Sequence, residues 1–229
     1  MSPSDSYPTT PRTTPRRHKD RILRDRRVIH DILDAAFVCN LGFVADGHPA
    51  VLPLMYVRLG DAVYVHGSPG GRPLSAAGQG GLDVCLAVTS IDGFVLARAA
   101  FNHSLNYRCV IVHGLAHVVE DTALKRRMFH TLIEKVVPGR LADTRPLTER
   151  ELATTTVLEL ALNEATARIR AGGPKDTPED LALPHWAGTV PVMLTTGAPI
   201  PADGQRGDAH LPGYLTEVDL HFRSTVATT

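Results

Sequence analysis

The sequence is short of several things, and each shortage closes a class of function. Only three cysteines occur in 229 residues. Cys39, Cys85 and Cys109 lie far apart, each in an apolar run, which fits reduced core thiols and not a disulfide framework. No CxxC pair is present. His113 and His117 would share a strand face but stand too far apart for one ion, so no metal site is expected. An excess of either charge is also missing, because 24 Lys and Arg balance 24 Asp and Glu. With no net field to attract a polyanion, nucleic acid and anionic membrane are not expected partners. No window approaches the ~20 apolar residues that cross a bilayer. Arg16-Arg17 are followed by His18, Lys19, Asp20 and Arg21 and by no apolar stretch, so a twin-arginine export signal is excluded and a cytoplasmic location is expected. Nucleophile elbow, Walker loop and dinucleotide fingerprint are all absent, which leaves hydrolase readings without support.

What is present points to one core with tails. Residues 1–20 are rich in Ser, Thr, Pro and Arg and are expected to form a disordered basic tail, although the run from Arg12 to Arg27 has the charge to touch phosphates. Residues 21–200 are expected to form a single domain, and 201–229 an extension of uncertain order. From Ile22, the spacing of Val28, Ile29, Ile32, Leu33 and Ala36 predicts an amphipathic helix. The period then changes. Phe37 to Val44, Ala50 to Val57 and Ala62 to His66 read as strands joined by hairpin turns at Asp46-Gly47-His48-Pro49 and Leu59-Gly60-Asp61. Leu82 to Ser90 is another strand, Asp92-Gly93 reads as a turn into Phe94 to Ala97, and Tyr107 to Val119 is a long strand with Gly114 as a bulge or close-approach point. A second helix is expected from about Thr122 to Val137. Thr148 to Glu151 form a capping box, and the alternation of Leu158, Leu160 and Leu162 gives a half-exposed strand. A loop over 171–184 and a short strand over Val190 to Thr195 follow. Antiparallel strands with helices between them, and not alternating one for one, indicate a mainly β fold with flanking helices: a β-barrel and not a doubly wound sheet.

Three segments carry chemical content. His66-Gly67-Ser68-Pro69-Gly70-Gly71-Arg72 runs from a strand into a glycine-rich turn with a hydroxyl and a cation, which suits a phosphate; a plain turn with a surface arginine has the same pattern. Phe101 to Cys109 is a polar, aromatic and cationic cluster at the head of the long strand, where Arg108 either faces a cleft or serves as a structural ion-pair partner. Trp186-Ala187-Gly188 sets the only tryptophan before small residues, either as a core anchor or as a surface that another surface approaches closely. No catalytic acid–base pair or triad stands out. Most of the eleven histidines fall singly, in places where histidine is usually structural or solvated.

Taken in order, Ile32-Leu33-Asp34, Pro49 to Pro53, Tyr64 to Arg72, Asp92-Gly93, Phe101 to Cys109, Pro138-Gly139-Arg140, Gly173-Pro174 and Trp186-Ala187-Gly188 resemble the flavin-nucleotide-binding branch of the pyridoxamine 5'-phosphate oxidase-like superfamily, itself similar to nitroimidazole-reductase proteins. The resemblance spans roughly residues 12–200. It implies a split β-barrel of antiparallel, Greek-key-like strands, forming a homodimer with FMN in each of two clefts shared between subunits. It implies that the flavin ring lies along Val51, Leu52, Pro53 and Leu54, with the phosphate near His66, Gly67, Ser68 and Arg72. Asn106, Tyr107, Arg108 and Cys109 would line the same cleft, with Trp186 beside it. The family pattern has serine where this chain has Cys109, Ala99 and Thr166; a thiol at 109 is a weaker donor toward a cofactor. The implied function is an FMN-dependent oxidoreductase passing hydride or electrons between reduced nicotinamide and a small organic acceptor such as a nitro compound, quinone or pathway intermediate. A non-catalytic flavin-binding protein is the alternative, as is the same barrel with heme, through a histidine such as His66 or His103, or with a deazaflavin. Pyridoxamine 5'-phosphate oxidase activity itself is not implied.

Overall fold

The computed structural model describes residues 5–14, 22–68, 80–205 and 210–216. Strand β1 (Ile22–Leu23) precedes helix α1 (Arg26–Ala35), followed by β2 (Val38–Ala45), β3 (His48–Leu59) and β4 (Ala62–Gly67). Two long strands, β5 (Leu82–Leu96) and β6 (Ser104–Val118), lead to α2 (Thr122–Val136) and α3 (Glu149–Ala153). Then come β7 (Thr156–Ala161), β8 (Glu164–Arg170), the short α4 (Pro178–Leu181) and β9 (Gly188–Pro191). The β2–β3 hairpin turns on Asp46 and Gly47, at φ of 52° and 78°, the double left-handed geometry that a tight hairpin needs and that Asp-Gly adopts readily.

All the strand pairings are antiparallel, and β6 closes the ring. It pairs with β5 along most of its length, with β7 through His117 and Val118, and with β8 through Tyr107 to His113. The circuit β6-β7-β4-β3-β2-β5 therefore returns to β6, with β8 and β1 extending one side and β9 added to β5. This is the split barrel that the sequence implies.

Alternation along the strands fills it. Leu41, Phe43, Leu86, Val88, Val110, Val112, Leu158 and Leu160 face inward with Ile29, Ile32 and Leu33 of α1. Full burial of each such side chain contributes about 1.5–3 kcal/mol. In β4 every residue from Ala62 to Val65 is buried, because Val63 and Val65 join the barrel interior while Ala62 and Tyr64 pack under Met128 and Leu132 of α2. The expected α2 and the capping box at Thr148 and Glu151 are found where the sequence places them. At Gly114 a Cβ would stand 2.9 Å from Leu160, so this is a close approach within regular pairing and not a bulge.

Other expectations are corrected. The first helix begins at Arg26 and not near Ile22, because Asp25 caps it by accepting from the Val28 amide at 2.9 Å, and Ile22–Leu23 instead pair with β8. Asp92-Gly93 is no turn: β5 runs straight through it, with a register shift between Ile91 and Gly93. The strand expected around Leu158 to Leu162 is β7, with all three leucines buried and not half-exposed, and a further strand, β8, which the sequence pattern does not mark, follows a turn at Leu162 and Asn163. Residues 5–14 are not a solvated tail. Tyr7 is only 3% exposed within the core, and its hydroxyl donates to Asp61 at 2.8 Å and lies 2.8 Å from His30 Nε2. The buried ring is joined by backbone bonds from Tyr7 to Arg24 and from Arg26 to Asp5 and by side-chain bonds of Arg12 to Asp83 and of Arg24 to the Thr13 carbonyl, contacts that composition alone does not reveal. Of the C-terminal extension, Tyr214 packs over Gly139, and its hydroxyl accepts from Arg140 at 3.1 Å.

Candidate functional site

Pairing between β2 and β5 stops at Asn40 and Ala87. Beyond that point Ala36, Phe37 and Val38 on one side and Thr89 to Asp92 on the other line an open cavity of about 410 Å³, bordered also by Arg108, Val192, Met193 and Leu194. That is within the ordinary range for small-molecule sites, and the wall is mainly apolar. The register shift in β5 falls within its wall, between Ile91 and Gly93. Gly93 lets β9 lie close, since a Cβ there would stand 3.0 Å from both the Thr189 side chain and the Val190 carbonyl. The Val192 amide then donates to the Asp92 carbonyl at 3.1 Å, which brings Met193 and Leu194 over the opening.

One charge pair faces this space. Arg108, 7% exposed, donates from Nε to both Asp92 carboxylate oxygens at 3.1 and 3.0 Å and from Nη2 to Oδ1 at 2.8 Å. Arg108 is an ion-pair partner and also borders this cavity. Asp92 gains its position from the bulge, a contribution invisible when Asp92-Gly93 is read as a turn.

The other candidate residues divide by strand alternation. Val51 and Pro53 are exposed on the outer face of β3, whereas Leu52 and Leu54 pack against the core. Only the first two can offer side chains to a ring lying outside the barrel. Met55 continues their row and pairs with Val38, so the row leads to the cavity. Tyr107 and Cys109 point opposite to Asn106 and Arg108. Asn106 is engaged locally, accepting from Arg170 at 2.6 Å and donating to the Gly172 carbonyl at 3.1 Å. Trp186 is 68% exposed and leans over Gly188, so it is no core anchor. His66, Gly67 and Ser68 lie at the end of β4, while Pro69 to Arg72 lie outside the described residues. The lining residues Phe37, Val38, Thr89, Ser90, Ile91, Val192, Met193 and Leu194 have no sequence motif; only the pairing pattern brings them together.

Two histidines have contrasting surroundings. His66 sits edge-on to Phe129 with ring centroids 5.1 Å apart; its Nδ1 is buried without a hydrogen-bond partner, and burial holds its pKa below the usual histidine value. His103 is exposed, with Nδ1 3.2 Å from the Ala99 carbonyl. Near the cavity, Lys135 is pushed down to about 8 by burial, while its Nζ donates to the Leu33 carbonyl at 3.0 Å over the Tyr56 ring. Among the described residues no His, Cys, Asp and Glu cluster suits a metal ion, and no helix is long and apolar enough to cross a membrane.

A family model described as pyridoxamine 5'-phosphate oxidase matches residues 25–169, a stretch holding α1, the closed ring and the Arg108–Asp92 pair. This chain belongs to that family. Among solved structures, the flavocytochrome Anf3 from Azotobacter vinelandii is 33% identical, covering 90% of this chain and 96% of its own, with a TM-score of 0.83. The FAD and heme binding protein from Mycobacterium smegmatis is also 33% identical, covering 87% of this chain and 97% of its own, with a TM-score of 0.80. A protein from Bacteroides thetaiotaomicron named for 5-nitroimidazole antibiotic resistance shares the fold at 19% identity and a TM-score of 0.54, covering 65% of this chain and 86% of its own. No curated protein matches the sequence.

Proposed function

We propose that this chain is a flavin-binding redox protein that also carries a heme, working as an oxidoreductase between reduced nicotinamide and a small organic acceptor. The observation behind this is the 33% identity, over nearly the whole chain, to two proteins named as a flavocytochrome and as an FAD and heme binding protein. The residues present fit such groups. Val51, Pro53 and Met55 form an exposed apolar row beside a cavity with one buried cation, and a buried nitrogen of His66 has no partner. A flavin accepts hydride and passes on single electrons, which a heme can take. The work of the protein is to bind, orient and exclude water. Ser68 and Arg72 hold phosphate, the outer face of β3 backs the ring, and Arg108 supplies fixed charge at the cavity. FAD, named for the M. smegmatis relative, is the flavin proposed here; FMN is the form implied by the flavin-nucleotide branch. For heme iron, His103 has the tautomer-fixing carbonyl typical of a ligating imidazole, and His66 has the unpartnered nitrogen.

A homodimer is part of this reading, because Val38, Val51 and Met55 leave apolar surface in water on the face proposed to back the flavin, and Trp186 leaves more beside β9. Three free cysteines agree with a reducing, cytoplasmic setting. The test is the visible spectrum of the purified protein. It is joined to chromatography of the acid-released flavin against FMN and FAD, a haemochrome assay, and light scattering. Flavin and Soret bands from a dimer are expected. A colourless protein that binds neither added flavin nor heme overturns the reading; a deazaflavin spectrum replaces the cofactor; a monomer with cofactor bound removes the shared cleft.

A further inference from the structure

Arginine has five N–H donors, and Asp92 engages only Nε and Nη2 of Arg108. Nη1 has no hydrogen-bond partner among the described residues, yet it is not among the buried atoms left unpaired. It is therefore accessible, and Arg108 is one of the residues that line the cavity. The charge it belongs to is already cancelled by Asp92, and the cavity it borders is lined mainly by apolar side chains, Phe37, Val38, Met193 and Leu194 among them, with the hydroxyls of Thr89 and Ser90.

We infer that this cavity is the chamber for the electron-accepting substrate, and that it selects a neutral, largely apolar molecule bearing an oxygen acceptor, of the nitro, quinone or carboxamide class, over a carboxylate. The inference deepens the flavin reading and rests on it for the word "electron-accepting"; the selectivity rests on the charge pair alone. A neutral oxygen accepts from Nη1 while the body of the molecule covers the apolar wall. A carboxylate gives up part of its hydration in the same space and meets a neutralised cation with the Asp92 carboxylate beside it, so its desolvation is less well compensated than that of a neutral oxygen. The pair works as a donor without net charge. That sets it apart from the phosphate-holding role given to Arg72, where net positive charge is what matters.

The test compares para-nitrobenzamide with para-nitrobenzoate, which differ in charge and hardly in shape, by calorimetric titration of the protein with whatever cofactor it carries. The wild type is expected to bind the amide at least about tenfold more tightly. Asp92→Asn keeps the shape, frees the charge of Arg108 and should reverse the order. Leu194→Trp, at an exposed position of the wall, should fill the chamber and weaken both ligands by about tenfold or more. Equal or tighter binding of the benzoate to the wild type overturns the inference. So does an unchanged order in an Asp92→Asn protein whose thermal melt remains cooperative, or unaltered binding in Leu194→Trp. If Asp92→Asn does not fold, the wild-type order and Leu194→Trp still decide. Failure of the flavin reading shows separately, as a protein without flavin absorption, whatever its selectivity.

Discussion

Removing one partner of the Arg108–Asp92 pair should cost far more than removing both. The two side chains are 8% and 13% exposed, so either charge left alone has little water to turn to. Breaking a buried ion pair from one side costs about 3–5 kcal/mol, whereas replacing both partners by apolar groups is often close to neutral. Because this pair borders an open cavity, the lower end applies, and Arg108→Met or Asp92→Ala should each destabilise by about 3 kcal/mol. If the sites were independent the double variant would lose about twice that; the structure predicts a loss no greater than either single variant, a coupling of about 3 kcal/mol. Urea unfolding at fixed salt and neutral pH, followed by circular dichroism, measures all four corners of the cycle. Comparable m-values are needed before the midpoints are converted to free energies. A coupling below about 0.5 kcal/mol would mean that the pair is solvated in solution, and the selectivity argued for the cavity would lose its basis.

Tyr7→Phe removes a hydroxyl bound to both Asp61 and His30 and should destabilise by about 1–2 kcal/mol in the same assay; no loss would mean that residues 5–14 do not hold the body in solution. Lys135 has a folded pKa of about 8, depressed from 10.5, so the unfolded chain binds more protons between those values and stability should rise with pH across that window, by up to ~3 kcal/mol. Lys135→Met should abolish that rise, and an unchanged pH profile would show the ammonium to be solvated. Arg72→Ala should weaken FMN and FAD binding by about ten- to a hundredfold while leaving riboflavin nearly unaffected, read by flavin fluorescence quenching; equal losses for all three flavins would assign the effect to fold damage. Trp186→Ala should leave unfolding free energy within about 0.5 kcal/mol in the monomer, since the ring is largely exposed, while lowering dimer affinity by sedimentation.

Period and punctuation were enough for most of the fold. The shift from 3.6-residue spacing in Val28 to Leu33 to the short β-prone run of Val63 to Val65, and the Asp-Gly turn at 46 and 47, act through local backbone preferences that any neighbour would meet. The capping box at Thr148 and Glu151 is equally local, and it forms as its spacing requires. The family pattern gathered Arg108 and the β3 strand, because those motifs carry chemistry in a fixed order along the chain. Three things depended on contacts distant in sequence. Tyr7 is ordered by Asp61, and Asp92 is aimed by a bulge that exists only where β5 meets β6 and β9. The cavity itself opens because β2 pairs with β5 only from Asn40 on, so that Phe37 and Met193 line one gap with no counterpart in either local sequence. Local patterns determine elements through the energies of neighbouring residues; the shape and charge of a cavity depend on where strands stop pairing, and only the closed barrel decides that.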